Sequence, residues 1–245
     1  MTIDGSNASA LGVMSQGELS ALAICIFLPR ALLQDSPFGF VVIDDPVQSM
    51  DPAKVDGLAR VLAETAKKRQ VVVFTHDERL PEAIRRLDID ARVMRVQRRA
   101  KSQLEITAGR PPSERYLDEA SSLSKGEDLP PEVIRVVVPG FCRSAIEAAC
   151  AERIRRERVS AGISHAAVDD ELAQLTTVNS WLRAALGLSQ AQGKELRQKV
   201  INLGGEGAWK AVALARSGAH EAIGDLDPVE LAGDTKKLVS ALERR

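Results

Sequence analysis

Apolar and polar positions follow two regimes along this chain, and the change falls between Gly109 and Glu132. In the first regime, short apolar runs alternate with amphipathic stretches. Ser20 to Leu28 is an apolar stretch of helical character. Phe40-Val41-Val42-Ile43 and Val71-Val72-Val73-Phe74 are compact apolar runs, each closed by polar residues. Runs of this length predict strands buried in a parallel sheet. Between them, Asp51-Pro52 is a helix start, with Asp51 as N-cap and Pro52 at the first helical position. The helix runs from about Ala53 to Lys68 and closes on Lys67-Lys68-Arg69, cations suited to a helix C-terminus. After the second strand, Arg79 to Leu87 is helical. Ala91 to Val96 and Leu104 to Thr107 predict two short strands that pair antiparallel at the sheet edge.

Arg110-Pro111-Pro112 marks a boundary. Residues 111–131 read as a linker carrying a short helix, Ser113 to Ser124, and a polar stretch, Lys125 to Pro131. From Glu132 to Arg245 helical periodicity dominates. Helices are expected over Val133 to Val138, Cys142 to Arg158, Ala166 to Leu186, Ala191 to Leu203, Ala208 to Arg216 and Val229 to Leu242. Pro139-Gly140 should separate the first two, Gly204-Gly205-Glu206-Gly207 should form a turn, and Asp227-Pro228 should start the last helix. In the second, Ile146, Ala149, Cys150 and Ile154 recur at helical spacing and predict a buried stripe. The fold class is thus α/β over residues 1–110, followed by an all-α domain over residues 132–245.

Composition narrows the class. An apolar fraction of 44% over 245 residues is that of a globular chain, and with aromatics at 3% the core must be built from Ala, Val, Leu and Ile. A net charge of −1 gives no general attraction to nucleic acid. Basic clusters at Arg92–Lys101 and Arg153–Arg158 read first as solvated faces, which leaves DNA as a local partner only. No apolar stretch has transmembrane length and no signal peptide is expected. Cys25, Cys142 and Cys150 lie in apolar helical contexts without C-x-x-C spacing, so they read as reduced, buried residues of a cytoplasmic protein with no membrane partner.

The first strand leads straight into Asp44-Asp45-Pro46. Open α/β sheets bind ligands at the carboxyl ends of their strands. One carboxylate there can hold Mg²⁺ through a water, and the next can orient a water for attack on a phosphate. Upstream, Ser15-Gln16-Gly17-Glu18 begins the apolar helix, and exposed N–H groups at such a terminus form an anion site. The same Ser15 and Glu18 also match the spacing of a capping box. Downstream stand the turn Ser49-Met50-Asp51 and, after the second strand, Thr75-His76-Asp77.

In this order the four segments resemble the C-terminal lobe of an ABC-type ATPase head of the SMC, RecF and RecN group, among the bacterial AAA family ATPases. The resemblance implies a partial P-loop NTPase sheet with flanking helices, and ATP and Mg²⁺ as cofactors. It makes Ser15, Gln16, Gly17 and Glu18 the signature that touches ATP held by an opposite head. It makes Asp44 the Walker B magnesium residue and Asp45 the occupant of the catalytic glutamate position, where Asp-Asp departs from the usual Asp-Glu. Ser49 and Asp51 become the D-loop, and His76 the switch histidine. The implied function is ATP binding and hydrolysis at a head–head interface in DNA repair or phage defence.

No G-x-x-x-x-G-K-[ST] occurs in the sequence, and Met1 to Val13 is small and polar with no strand run. The expectation is a half-head, which a Walker A lobe or a second head must complete, and a homodimer through the heads. A clipped gene model, a separately encoded N-terminal lobe and a non-catalytic remnant each fit that pattern. A second resemblance lies in the helical region. Arg143 and Glu147 share one helix face, and His220 follows Arg216 near a helix end. This looks like the Arg-x-x-x-Glu and distant histidine of HEPN-type RNases, and it implies a nuclease effector. The plain alternative is an intrahelical Arg–Glu pair beside a turn histidine.

Overall fold

The structure is a computed structural model that describes residues 2–3, 6–7, 12, 14–99, 102–126, 129–189, 193–217 and 227–244. It divides into two compact units, Met1–Met94 and Arg95–Arg245.

In the first unit, β1 (Thr2–Ile3) and β2 (Ser6–Asn7) pair antiparallel, Thr2 opposite Asn7 and Ile3 opposite Ser6. No strand was expected in that segment, because two-residue strands are too short to leave an apolar run. Then come α1 (Gln16–Ala31), β3 (Phe40–Asp44), α2 (Pro52–Ala66), β4 (Gln70–Phe74) and α3 (Arg79–Arg86). The strand–helix–strand order makes β3 and β4 a parallel pair, from Phe40 opposite Gln70 to Asp44 opposite Phe74. Side chains alternate across a sheet. Val41, Ile43, Val71 and Val73 therefore share one face, and they pack with Leu28, Val55, Leu58, Leu62, Leu80 and Ala83. Buried Asp56 of α2 and Arg86 of α3 form an ion pair, which fixes those two helices to each other. The opposite face carries Phe40, Val42 and Phe74, which remain 50%, 48% and 57% exposed. Parallel sheets are ordinarily covered on both faces, so this half-covered pair is an unusual feature of the unit.

β5 (Met94–Arg98) and β6 (Leu104–Ala108) pair with each other and form a sheet of their own. The edge position expected for them is not taken among the described residues. A short connection closes a hairpin at low entropic cost, so local pairing wins.

In the second unit, α4 (Pro112–Ser124) belongs to the helical core through Leu117 and Ala120, although the sequence placed it in a linker. α5 (Pro131–Ser160) is continuous across Pro139-Gly140, where a break was expected. An interior proline costs about 3 kcal/mol of helix stability. Here Val138, Pro139, Cys142 and Ala145 are all buried, and tertiary packing overrides that cost. The predicted stripe of Ile146, Ala149, Cys150 and Ile154 is fully buried.

The single helix expected over 166–186 is two, α6 (His165–Ala173) and α7 (Val178–Ala185). Thr177 starts the second with a capping box to Ser180, a signal present in the sequence. α8 (Gly193–Ser217) kinks at Gly205, whose φ of 83° and ψ of 179° are open to glycine; the turn expected there is present as this kink. α9 (Pro228–Glu243) starts at Asp227 as expected. Among the described residues no helix is long and apolar enough to cross a membrane. Cys142 and Cys150 are buried, whereas Cys25 is exposed, against expectation. Burial raises the Cys142 thiol to about 11.

Candidate functional site

The carboxyl ends of the parallel pair carry one cluster. Asp44 is the last residue of β3 and is exposed. The Asp45 N–H donates to the Phe74 carbonyl at 2.7 Å, which extends the ladder by one step beyond the strand. Asp45 then takes φ of 44°, a left-handed conformation that ends the alternation. Its carboxylate is engaged on both oxygens. Oδ1 accepts the Thr75 hydroxyl at 2.7 Å, and Oδ2 lies 2.9 Å from His76 Nδ1. The His76 side chain is 81% exposed, so the imidazole is anchored at one nitrogen and open to solvent elsewhere. Thus Asp45 and His76, far apart in sequence, meet because β3 and β4 run parallel and end side by side.

The turn after the acids buries Val47 and Met50 and exposes Ser49. The Met50 N–H donates to the Val47 carbonyl at 3.0 Å. Ser49 holds φ of 62°, and a non-glycine residue there costs about 1–3 kcal/mol, maintained only where the surroundings over-determine it. Asp51 caps α2 by accepting the Lys54 N–H at 3.0 Å. Hydrogen bonds from Lys54 hold the Asp51 carboxyl below its ordinary range.

At the start of α1, Ser15 and Glu18 form the capping box read from the sequence. The Glu18 N–H donates to Ser15 Oγ at 3.3 Å, and the Ser15 N–H donates to Glu18 Oε2 at 2.7 Å. That backbone bond from Ser15 is the main cause of a lowered Glu18 pKa. Gln16 is exposed and Gly17 is buried. A Cβ on Gly17 would lie 2.2 Å from the Ser49 carbonyl oxygen, so this helix start is in backbone contact with the turn. The structure therefore joins Gly17 to Ser49 and Asp45 to His76, while Ser15 bonds with Glu18.

Sequence reasoning passed over three residues. Thr75 bridges Asp45 and the Asp77 N–H, the latter at 3.1 Å. Asp77 grips Arg79 with Arg79 Nε to Asp77 Oδ1 at 2.9 Å, and the pairing lowers the Asp77 pKa. Arg79 continues to the carbonyls of Val47 and Met50. The Thr-x-Asp spacing, which allows a side-chain to backbone turn, is the signal that could have found the first two.

In the helical unit, Arg143 Nε donates to Glu147 Oε1 at 2.8 Å, and Arg143 Nη2 donates to the Thr176 carbonyl at 3.1 Å. Both partners are accounted for by packing of α5 against the segment before α7. His220 lies outside the described residues.

Among the described residues no group of three or more His, Cys, Asp or Glu side chains could hold a metal ion. Mg²⁺ with a nucleotide needs no such group, since it is held by phosphates, waters and one or two carboxylates. The exposed Asp44 carboxylate at the sheet end fits that donor set.

A parallel strand pair with twin acids and a histidine at its carboxyl ends is an arrangement suited to nucleotide chemistry. Similarity to known proteins agrees at that coarse level. Residues 4–80 match the family described as "AAA domain, putative AbiEii toxin, Type IV TA system". Over 72 residues the chain is 29% identical to the chromosome partition protein Smc of Mycoplasma genitalium, covering 29% of this chain and 7% of that protein. It is 28% identical to the Smc protein of Mycoplasma pneumoniae over the same 72-residue length, again 7% of that relative. The N-terminal region is thus similar to ATPase domains of the AAA and SMC kind, and it spans a small part of those relatives.

Proposed function

We propose that the N-terminal unit is the signature and Walker B half of an SMC- or RecF-like ABC-type ATPase head. The observation that carries this is the pairing of Asp45 with His76 beside Asp44 at the carboxyl ends of β3 and β4. In this function Asp44 would be the residue that holds Mg²⁺. Mg²⁺ bound to ATP would neutralise charge developing on the phosphates. Asp45 accepts a hydrogen bond from the attacking water and orients it, while Thr75 fixes the carboxylate. His76 uses its solvent-facing nitrogen to contact the γ-phosphate. Ser15, Gln16, Gly17 and Glu18 would meet ATP held by an opposite head, at a helix N-terminus where Ser15, Gln16 and Glu18 are exposed. Ser49 and Asp51 serve as the D-loop at that interface.

The uncovered sheet face supports the need for a completing lobe. Phe40, Val42 and Phe74 would be buried by a Walker A lobe laid on the pair. Two completed heads would sandwich two nucleotides as a homodimer, in DNA repair or phage defence. The test is ATP turnover by this chain mixed with a Walker A lobe of an SMC-type head supplied as a separate polypeptide. Turnover should appear only in the mixture. Ser15→Arg should abolish it by blocking the interface, and Asp45→Asn should hold ATP without hydrolysis. Turnover indifferent to both substitutions would dismiss the assignment.

A further inference from the structure

Arg79 opens α3, and its guanidinium reaches two separate segments. On one side, Nη1 donates to the Met50 carbonyl, and Nη2 donates to the Val47 carbonyl at 3.2 Å. These are the two residues whose own N–H···O bond closes the turn containing Ser49. On the other side, the guanidinium grips Asp77. Nε lies 2.9 and 3.0 Å from the two carboxylate oxygens, and Nη2 lies 2.5 Å from Oδ2. Asp77 is tied back by its N–H to Thr75 Oγ1 at 3.1 Å, and that hydroxyl donates to Asp45 at 2.7 Å. An unbroken line of hydrogen bonds therefore runs from Asp45, which also meets His76, through Thr75, Asp77 and Arg79 into the turn.

We propose that Arg79 is a positioning residue that locks the Ser49–Asp51 turn to the loop carrying His76, so that the two move as one body. This rests on the ATPase-head function proposed above and adds to it a specific coupling. The segment that would face an opposite head is tied to the residues that would face the γ-phosphate. Ser49 sits at φ of 62° and needs an outside restraint to stay there, and the planar fork supplies one by holding both ends of its turn. Lysine is a point charge and cannot serve two carbonyls and a carboxylate in one plane.

The experiment is amide hydrogen exchange, read by mass spectrometry, on the full chain without nucleotide or partner. Its outcome is therefore independent of whether the completed head hydrolyses ATP. Arg79→Lys should speed exchange over residues 47–51 by about tenfold, leaving β3 and the body of α2 unchanged. Asp77→Asn should give the same local pattern, since Asp77 orients the fork. Thr75→Val should speed the same segment, and the Thr75→Val, Arg79→Lys double variant should add nothing to Arg79→Lys alone, because both cut one line. Unchanged exchange in the turn, a uniform rise across residues 14–94, or additive effects in the double variant would each overturn the proposal.

Discussion

Gly17 shows how one missing side chain sets the site. The start of α1 comes so near the turn that a methyl group would overlap the Ser49 carbonyl. Backbone, unlike a flexible side-chain tip, cannot give way cheaply. Gly17→Ala should destabilise the N-terminal unit by about 1–3 kcal/mol, read as a lower midpoint in urea, with the turn displaced. An unchanged midpoint would mean that the two segments are not held in contact. The sequence offered Gly17 as part of a motif, but the reason for glycine became visible only when Ser49 came to lie against it. Asp45 and His76 were each legible as candidates. Their 2.9 Å separation and the Thr75 bridge required the parallel pairing of strands that are distant in sequence. The reach of Arg79 into the turn left no trace in periodicity or spacing, because the Val47 and Met50 carbonyls belong to another segment; only its Asp77 partner is near in sequence.

Among the elements, those whose ends carry side-chain signals were the ones read best. Asp51-Pro52 and Asp227-Pro228 start helices as predicted, because capping is a local property of a few adjacent residues. The same chemistry explains a miss. Thr177 accepts the Ser180 N–H at 3.1 Å and starts α7, which breaks a stretch that apolar periodicity joins. Thr177→Ala should cost about 1 kcal/mol in the helical unit, measured by thermal denaturation; a smaller change than a few tenths would show that burial of Val178 and Leu182 alone sets the break. Pro139 is the converse case. The local rule calls for a break, and α5 continues because the flanking turns bury Val138, Cys142 and Ala145. Local signals hold where the ends are exposed and yield where a long apolar stripe is at stake.

On the scale of the whole molecule, the two faces of the β3–β4 pair differ in how far they are covered. Val41 is 2% exposed whereas Val42, its neighbour, is 48% exposed. Val41→Ala should cost about 2 kcal/mol by leaving a cavity. Phe40→Thr, on the open face, should stay within about 0.5 kcal/mol of the parent protein and reduce binding of a hydrophobic dye. Equal losses at both positions would show that the second face is covered as well. The sequence by itself determined most element types, the change from α/β to all-α and the identity of the acids, since those rest on runs, caps and periodicity within short windows; the two-residue strands β1 and β2, the continuity of α5 and the break between α6 and α7 escaped it. Tertiary structure alone decided the partners of Asp45, the contact of Gly17 with Ser49, the grip of Arg79 and the open sheet face. Each of these joins residues separated by an intervening strand or helix, and no local pattern records a distance that only the folded backbone sets.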